Sequence, residues 1–143
     1  MKNAKLLLAL FAATAMFTSC GDDDSSSTSA PLEGKWYYSQ DGVSANGQEV
    51  LTPYEQDTEC NKKDYLEFVA GGVFNDFDFY GTDCASDNDN GTWTKSGKTI
   101  TTIVDGETTT ATIEKLTSST LKIKSAYTQG GTTVNYVTVF TKQ

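Results

Sequence analysis

From Leu32 onward the chain never repeats with the period of a helix. No window of a dozen residues sets apolar side chains at helical spacing, whereas short alternating runs recur between clusters of Gly, Asn, Asp and Ser. This predicts an all-β domain with strands at 35–40, 47–52, 64–69, 73–80, 91–95, 98–104, 107–114, 119–125 and 132–141, one of them surplus or irregular. The weakest is 47–52, because it ends at Thr52-Pro53 and proline cannot donate to a ladder. Ser96-Gly97, Asp105-Gly106 and Gly130-Gly131 sit between alternating runs and carry residues that accept positive φ, as hairpin turns require. Leu121 and Ile123 share one face of their run while Lys122 and Lys124 share the other, so the sheet has a wet side and a dry side. Without helices the dry side must be hidden in a sandwich or by closure, and consecutive hairpins favour an eight-stranded antiparallel up-and-down β-barrel.

The first thirty residues follow different rules. Lys2 and Lys5 precede an uncharged run from Leu6 to Phe17, then small residues and Cys20, which is the layout of a secretory signal peptide. A membrane-spanning helix needs about 20 apolar residues, so this run is too short to serve as one. Phe17-Thr18-Ser19-Cys20 resembles the lipobox of bacterial lipoproteins, with Phe17 in place of the usual Leu, Val or Ile. The resemblance implies cleavage before Cys20 and lipid on its thiol. The tract Gly21-Asp22-Asp23-Asp24-Ser25-Ser26-Ser27-Thr28-Ser29 buries no apolar surface and reads as a flexible tether. Its acidic start is similar to the export signal that places some gram-negative lipoproteins on the outer face of the outer membrane; a plain solvated tether is the other reading. The expected organisation is a leader at 1–19, a lipidated linker at 20–31 and a barrel at 32–143. The expected location is the cell envelope, with the lipid anchor in the outer membrane.

Removing residues 1–19 leaves 9 of the 11 lysines against 19 acidic residues, a net charge of −10 on a chain that has no arginine. Phosphate contacts need clustered cations, so nucleic acid is not an expected partner. Histidine is absent as well, which removes the usual general base and the commonest metal ligand. No catalytic residue, cofactor or metal site is predicted, and the chain is not read as an enzyme. With Cys20 assigned to lipid, Cys60 and Cys84 are the remaining pair, and in an oxidising envelope they are expected to join.

Gly34-Lys35-Trp36 at the start of the first strand matches the Gly-x-Trp of lipocalins. Cys60, Asp64-Tyr65-Leu66-Glu67-Phe68, Gly72-Val73-Phe74, Cys84, Gly91-Thr92-Trp93, Gly97-Lys98-Thr99-Ile100 and the run from Leu116 to Leu121 then follow in order. That order resembles the short lipocalin-like lipoproteins of gram-negative bacteria over most of 32–143. The resemblance implies an eight-stranded barrel with a possible ligand cavity and no reaction, and it implies that Gly34 and Trp36 are structural, the tryptophan closing one barrel end.

Several groups compete for a functional role. Aromatic residues including Trp36, Tyr65, Phe68, Phe74, Phe77, Phe79, Trp93, Tyr136 and Phe140 either line a pocket or fill a core. Of these, Phe68, Phe74, Trp93 and Tyr136 are the candidates for ligand binding. Phe74 and Phe77 fall on opposite faces of an ideal strand, which requires a bulge near Asn75 or an exposed aromatic. The stretch Asp83–Gly91 offers hard oxygen ligands but lacks the glutamate of a Ca²⁺ loop, and reads as an Asn/Asp-rich connection. Asp76 and Asp78 share a strand face and read as solvated carboxylates, with acid–base work as the alternative. Asn90-Gly91-Thr92 reads as a turn before a strand rather than a glycosylation site. Two functions remain: a barrel that takes a small apolar ligand or a sugar, or a filled barrel acting as an adhesin, subunit or inhibitor. An open interior of roughly 300 Å³ or more favours the first.

The N-terminal reading has a direct test. Cys20→Ala should leave the protein unprocessed or unanchored in its own cell envelope. A variant cleaved at the same bond and extracted with detergent like the wild type would refute it.

Overall fold

The alternating runs become nine antiparallel strands in the computed structural model, which describes residues 30–54, 58–129 and 131–143. They are β1 (Gly34–Ala45), β2 (Gln48–Pro53), β3 (Tyr65–Val69), β4 (Val73–Tyr80), β5 (Ala85–Ser96), β6 (Thr99–Val104), β7 (Glu107–Leu116), β8 (Thr120–Gln129) and β9 (Thr132–Thr141). The leader, Cys20 and the tether up to Ser29 lie outside the described residues. Each strand from β3 to β8 pairs with the next, and β1 pairs with both β3 and β9, so the sheet closes. The hairpin turns use the expected residues: Asp105 and Gly106 have φ of 50° and 84°, and Gly97 and Gly131 are also positive at 58° and 80°.

Nine strands occupy eight positions. One edge of β1 carries β9 from Tyr37↔Thr141 to Ser44↔Asn135. The other edge is shared, with β3 paired to Gly34–Tyr37 and β2 paired to Gln40–Ala45. β2 and β3 run in the same direction and form one interrupted strand, so the surplus run of the sequence is the first half of a broken barrel position. Pro53 stands at its end, and β2 pairs with no strand other than β1, as proline requires.

Across the interruption, isolated backbone and side-chain bonds replace the missing ladder. Tyr54 N–H donates to Ser39 O at 2.9 Å as the chain departs. A 3-10 turn at Asn61–Lys63 brings it back. Asn61 Nδ2 then donates to Phe79 O at 2.9 Å, and Phe79 N–H donates to a carboxylate oxygen of the buried Asp64 at 2.7 Å. Phe79, near the upper end of β4, therefore has both its backbone groups satisfied where a continuous strand would have supplied the partners.

Two bulges set which side chains face inward. The β1–β9 register shifts between Tyr38 and Gln40, and the β7–β8 register shifts between Ile113 and Lys115. The second lets Ile113 and Leu116, three residues apart, both be fully buried, while Glu114 turns outward to Lys122 and Lys124. The β1–β2 hairpin coils back over the outer wall. Glu49 on β2 reaches Lys122 on β8 at 2.6 Å, and Val137, outward by register, is fully buried. Glycine permits this bend: a Cβ on Gly42 would stand 1.9 Å from Val50 O. Gly91 does the same where β5 passes from β4 to β6, since a Cβ there would stand 2.1 Å from Ile103 O.

Two sequence expectations need correction. The fifth strand begins at Ala85 rather than 91, so most of the Asn/Asp-rich stretch is ladder, paired residue for residue with β4. The Asn90-Gly91-Thr92 turn is likewise strand interior. Of the two alternatives for Phe74 and Phe77, the outward aromatic is the one found: the register of β4 with β3 and β5 is continuous, and Phe77 faces outward and stacks on Tyr65 at 4.8 Å.

Cys60 and Cys84 form a disulfide with a Cα–Cα distance of 5.0 Å. It pins the excursion between β2 and β3 to the turn between β4 and β5. In the chain-entropy view, closing a loop of this length contributes about 3 kcal/mol through the unfolded state. The double variant Cys60→Ser, Cys84→Ser should unfold at lower denaturant by a corresponding amount. An unchanged midpoint in a urea titration would contradict it.

Candidate functional site

The interior of the barrel is filled at one end only. Trp36, Ile113, Leu116 and Leu121 are fully buried there with Leu32 beneath them. Trp36 donates from Nε1 to Leu32 O at 2.7 Å, and Lys142 Nζ lies 4.5 Å from the centroid of its ring while donating to Glu33 O. Trp36 is thus fully buried and held by its contacts at this end of the barrel. Gly34 enters β1 beside it at φ 117°, a conformation open to glycine.

Above this plug the inward side chains shorten and cease to meet. Ile100 stands opposite Ala111, and Thr102 opposite Thr109, so two successive rungs of β6–β7 leave space. The result is a cavity of about 360 Å³ toward the end that carries the β4–β5, β6–β7 and β8–β9 turns. Leu66, Phe68, Phe74, Ile100, Ile123 and Phe140 give it an apolar floor and lower wall. Thr102, Thr109, Ser125 and Thr138 put hydroxyl-bearing residues higher up, with Tyr38, Asp76 and Asp89 on the remaining arc. No lysine lines it.

Asp76 is the unusual group. It follows Phe74 on the inward face of β4, and its carboxylate accepts from the Tyr38 hydroxyl at 3.4 Å. Burial, and after it the neighbouring Asp78, push its pKa up from 3.8 to about 7; the Tyr38 hydrogen bond pulls the other way. Burial and Asp76 also push the Tyr38 phenol well above its ordinary value, so it remains a neutral donor. Tyr38 is held by a stack on Tyr54 at 4.7 Å and a tilted contact with Phe140 at 4.8 Å. Asp76 pairs across the ladder with Asp89, and Asp78 with Asp87. By strand alternation all four face the interior or its rim. The reading of Asp76 and Asp78 as solvated strand carboxylates therefore fails for Asp76, which is half-buried in the cavity wall.

The four aromatic candidates separate by depth. Phe68 and Phe74 line the cavity, their centroids 5.4 Å apart. Trp93 does not. It lies behind Phe68 at the closed end, edge-on at 5.3 Å, with Nε1 donating to Val69 O at 3.0 Å. Tyr136 is also outside the lining. It stands two residues above Thr138 on the same face, at the open rim, 49% exposed and 6.2 Å from Tyr127. Tyr65, Phe77 and Phe79 form a separate cluster on the outer wall, with Lys35 Nζ 4.3 Å from the Tyr65 centroid. Tyr38, Asp76 and Asp89 were not among the sequence candidates for binding. The signal available for them was a run of acidic residues on one parity of β4 and β5. Among the described residues no group of three or more His, Cys, Asp or Glu side chains is placed to hold a metal ion.

Comparison with known proteins agrees with this architecture. The family model for the lipocalin-like domain matches residues 32–123. No curated protein matches the chain. Among solved structures, a lipocalin-like protein from Bacteroides uniformis superposes with a TM-score of 0.55 at 16% identity, over 78% of this chain and 98% of that one. An uncharacterized protein from Bacteroides eggerthii gives 0.53 at 13% identity, over 79% and 100%. Apocrustacyanin C2 gives 0.51 at 12%, over 78% of this chain but 60% of that one. At such identities the likeness establishes a common fold.

The raised carboxyl has a consequence for stability. Between pH 3.8 and about 7 the folded protein holds a proton on Asp76 that the unfolded chain has released. This group's contribution therefore declines as pH rises through that window and stays unfavourable above it. Asp76→Asn should raise stability at about pH 8 by on the order of 1–2 kcal/mol, allowing for screening at the open mouth, and change it little in acid. Thermal midpoints of both proteins across pH read this directly. A variant less stable than wild type at the higher pH would contradict the assignment.

Proposed function

The chain belongs to the lipocalin-like domain family, and from that premise we propose that it is a cell-envelope lipoprotein whose barrel binds one small molecule with an apolar body. The observation that carries the binding reading is the unfilled upper half of the barrel, about 360 Å³ above an apolar floor. Such a volume lies within the range of small-molecule sites, and it counts against a barrel filled for protein interaction alone. The floor supplies affinity by removing apolar surface from water, at about 25 cal/mol per Å². The hydroxyl-bearing residues above it supply orientation.

The envelope part of the proposal rests on the charged start, the short apolar run and the lipobox-like tetrad ending in Cys20. Lipid on Cys20 would hold the barrel on a linker, residues 20–31, whose fully extended reach is roughly 40 Å. The domain would then capture its ligand near the membrane surface. Holding, rather than converting, is the activity proposed: Asp76 has no histidine to exchange a proton with, since the chain contains none.

Filling the cavity tests the binding site. Ala111→Phe places a ring in the gap opposite Ile100, and Thr102→Phe does so one rung higher. Each should weaken binding of the neutral fluorescent probe N-phenyl-1-naphthylamine by at least about tenfold while far-UV dichroism stays that of the folded barrel. Undiminished binding in both variants, or no binding to the wild type, would overturn the proposal.

A further inference from the structure

The β4–β5 ladder contains an arrangement that a stable sheet has reason to avoid. Asp76 stands directly opposite Asp89, and Asp78 directly opposite Asp87. Like charges across an antiparallel rung are destabilising, and here two successive rungs of one face carry them. The ion pairs seen among the described residues engage Glu49, Glu59 and Glu114, on the outer wall and in the β2–β3 excursion. Among the described residues the charge at Asp76 is met by a neutral hydroxyl, that of Tyr38, at a long 3.4 Å. Local conflicts of this kind are expected where function demands them.

Position gives the conflict its meaning. Asp76 and Asp89 are part of the cavity wall itself, and Phe68 and Phe74 lie below them. We infer that the cavity is built for an organic cation, with a protonated amine set between the carboxylates of Asp76 and Asp89 and its apolar body on the rings of Phe68 and Phe74. This rests on the reading of the cavity as a binding site and names its ligand class. A bare metal ion fits less well, because the described residues include no cluster of His, Cys, Asp or Glu placed to ligate one. An anionic amphiphile such as a fatty acid would bring a carboxylate against two others with no cation in the lining. The net charge of −8 on the whole chain adds a field that draws cations toward the mouth.

Binding should then depend on pH. The groups acting on Asp76 are Tyr38 from β1, Asp64 ahead of β3, Asp78 from its own strand and Asp89 from β5; all but the Tyr38 hydrogen bond favour the protonated form. An ammonium head opposes them, so it binds best once Asp76 has lost its proton, and binding at neutral pH releases one.

Octylamine, 1-octanol and octanoate, matched in chain length, test the inference by displacing the neutral probe from the full folded domain. Octylamine stays protonated throughout, with a pKa near that of lysine, about 10.4. At about pH 8 it should bind at least about tenfold tighter than octanol, and octanoate more weakly than either. Its advantage over octanol should shrink several-fold at about pH 5. Asp76→Asn and Asp89→Asn should each cut the amine-to-alcohol ratio several-fold while octanol affinity is kept, which also reports that the variant is folded. Equal binding of amine and alcohol by the wild type, or a ratio unchanged in both variants, would overturn the cation assignment and leave the cavity reading standing. Failure of all three compounds and of the probe to bind would overturn both.

Discussion

β1 alone among the strands carries ladders to three others, and the shape of the barrel follows from how it divides them. Its lower part pairs with β3 along Gly34–Tyr37 and meets β9 on the opposite edge from Tyr37 upward, which closes the sheet. Its upper half keeps β9 but gives its other edge to β2, which coils outward and takes no further strand. The wall is continuous at the closed end and interrupted toward the open one. Among the described residues the interruption is spanned by side chains, isolated backbone bonds and a crosslink: Asn61 and Asp64 on Phe79, Tyr54 N–H on Ser39 O, the Tyr54 ring on Tyr38, and the Cys60–Cys84 bridge. These contacts hold β4 in place beside a gap, and β4 is the strand that presents Phe74, Asp76 and Asp78 to the interior.

The same asymmetry sorts chemistry by depth. At the closed end the inward residues are large and pack together, and the buried indole nitrogen of Trp36 has Leu32 O as its partner. One rung higher, alanine and threonine replace isoleucine and leucine, and the interior opens. Carboxylates appear only from Asp76 upward, where solvent at the mouth reduces the cost of burying charge. Asp76 sits at the boundary between these regimes, which is why burial leads the causes of its raised pKa and why Asp78, nearer the rim and exposed, comes second.

Much of the fold could be read from the sequence because strand alternation and turn residues are local. The strand at 73–80 and the turns at Gly97 and Asp105-Gly106 needed nothing else. Asn46-Gly47, with φ of 52° and 77°, was an equally strong hairpin signal, and it explains why 48–53 is a strand despite Pro53. The Asn/Asp-rich 85–90 misled because its residues disfavour strands individually; the eight-residue ladder with β4 overrides that preference. The site was harder. β4 has aromatic residues on both parities, Phe74 on one and Phe77 and Phe79 on the other, so the sequence could not say which face was interior. Once Phe74 is inside, Asp76 and Asp78 follow it. Height along the barrel axis is also invisible locally: Trp93 and Phe68 share an inward face, yet one belongs to the plug and the other to the cavity.

Depth and parity together explain why a short barrel can be stable with half its interior unfilled. The plug needs only four fully buried large side chains and Leu32, because the disulfide and the Trp36 contacts restrain the chain on two different sides. On the outer wall, Val137 is also fully buried, and Lys122 pairs with Glu49 of the β1–β2 hairpin and with Glu114. Stability is thus gathered at the closed end and on the outside, which leaves the upper interior free of any structural duty. A side chain there can be chosen for what it meets when a guest enters. The opposed pairs Asp76–Asp89 and Asp78–Asp87 are tolerable on those terms, whereas at the depth of Ile113 or Leu121 the same charges would leave the core without a fold.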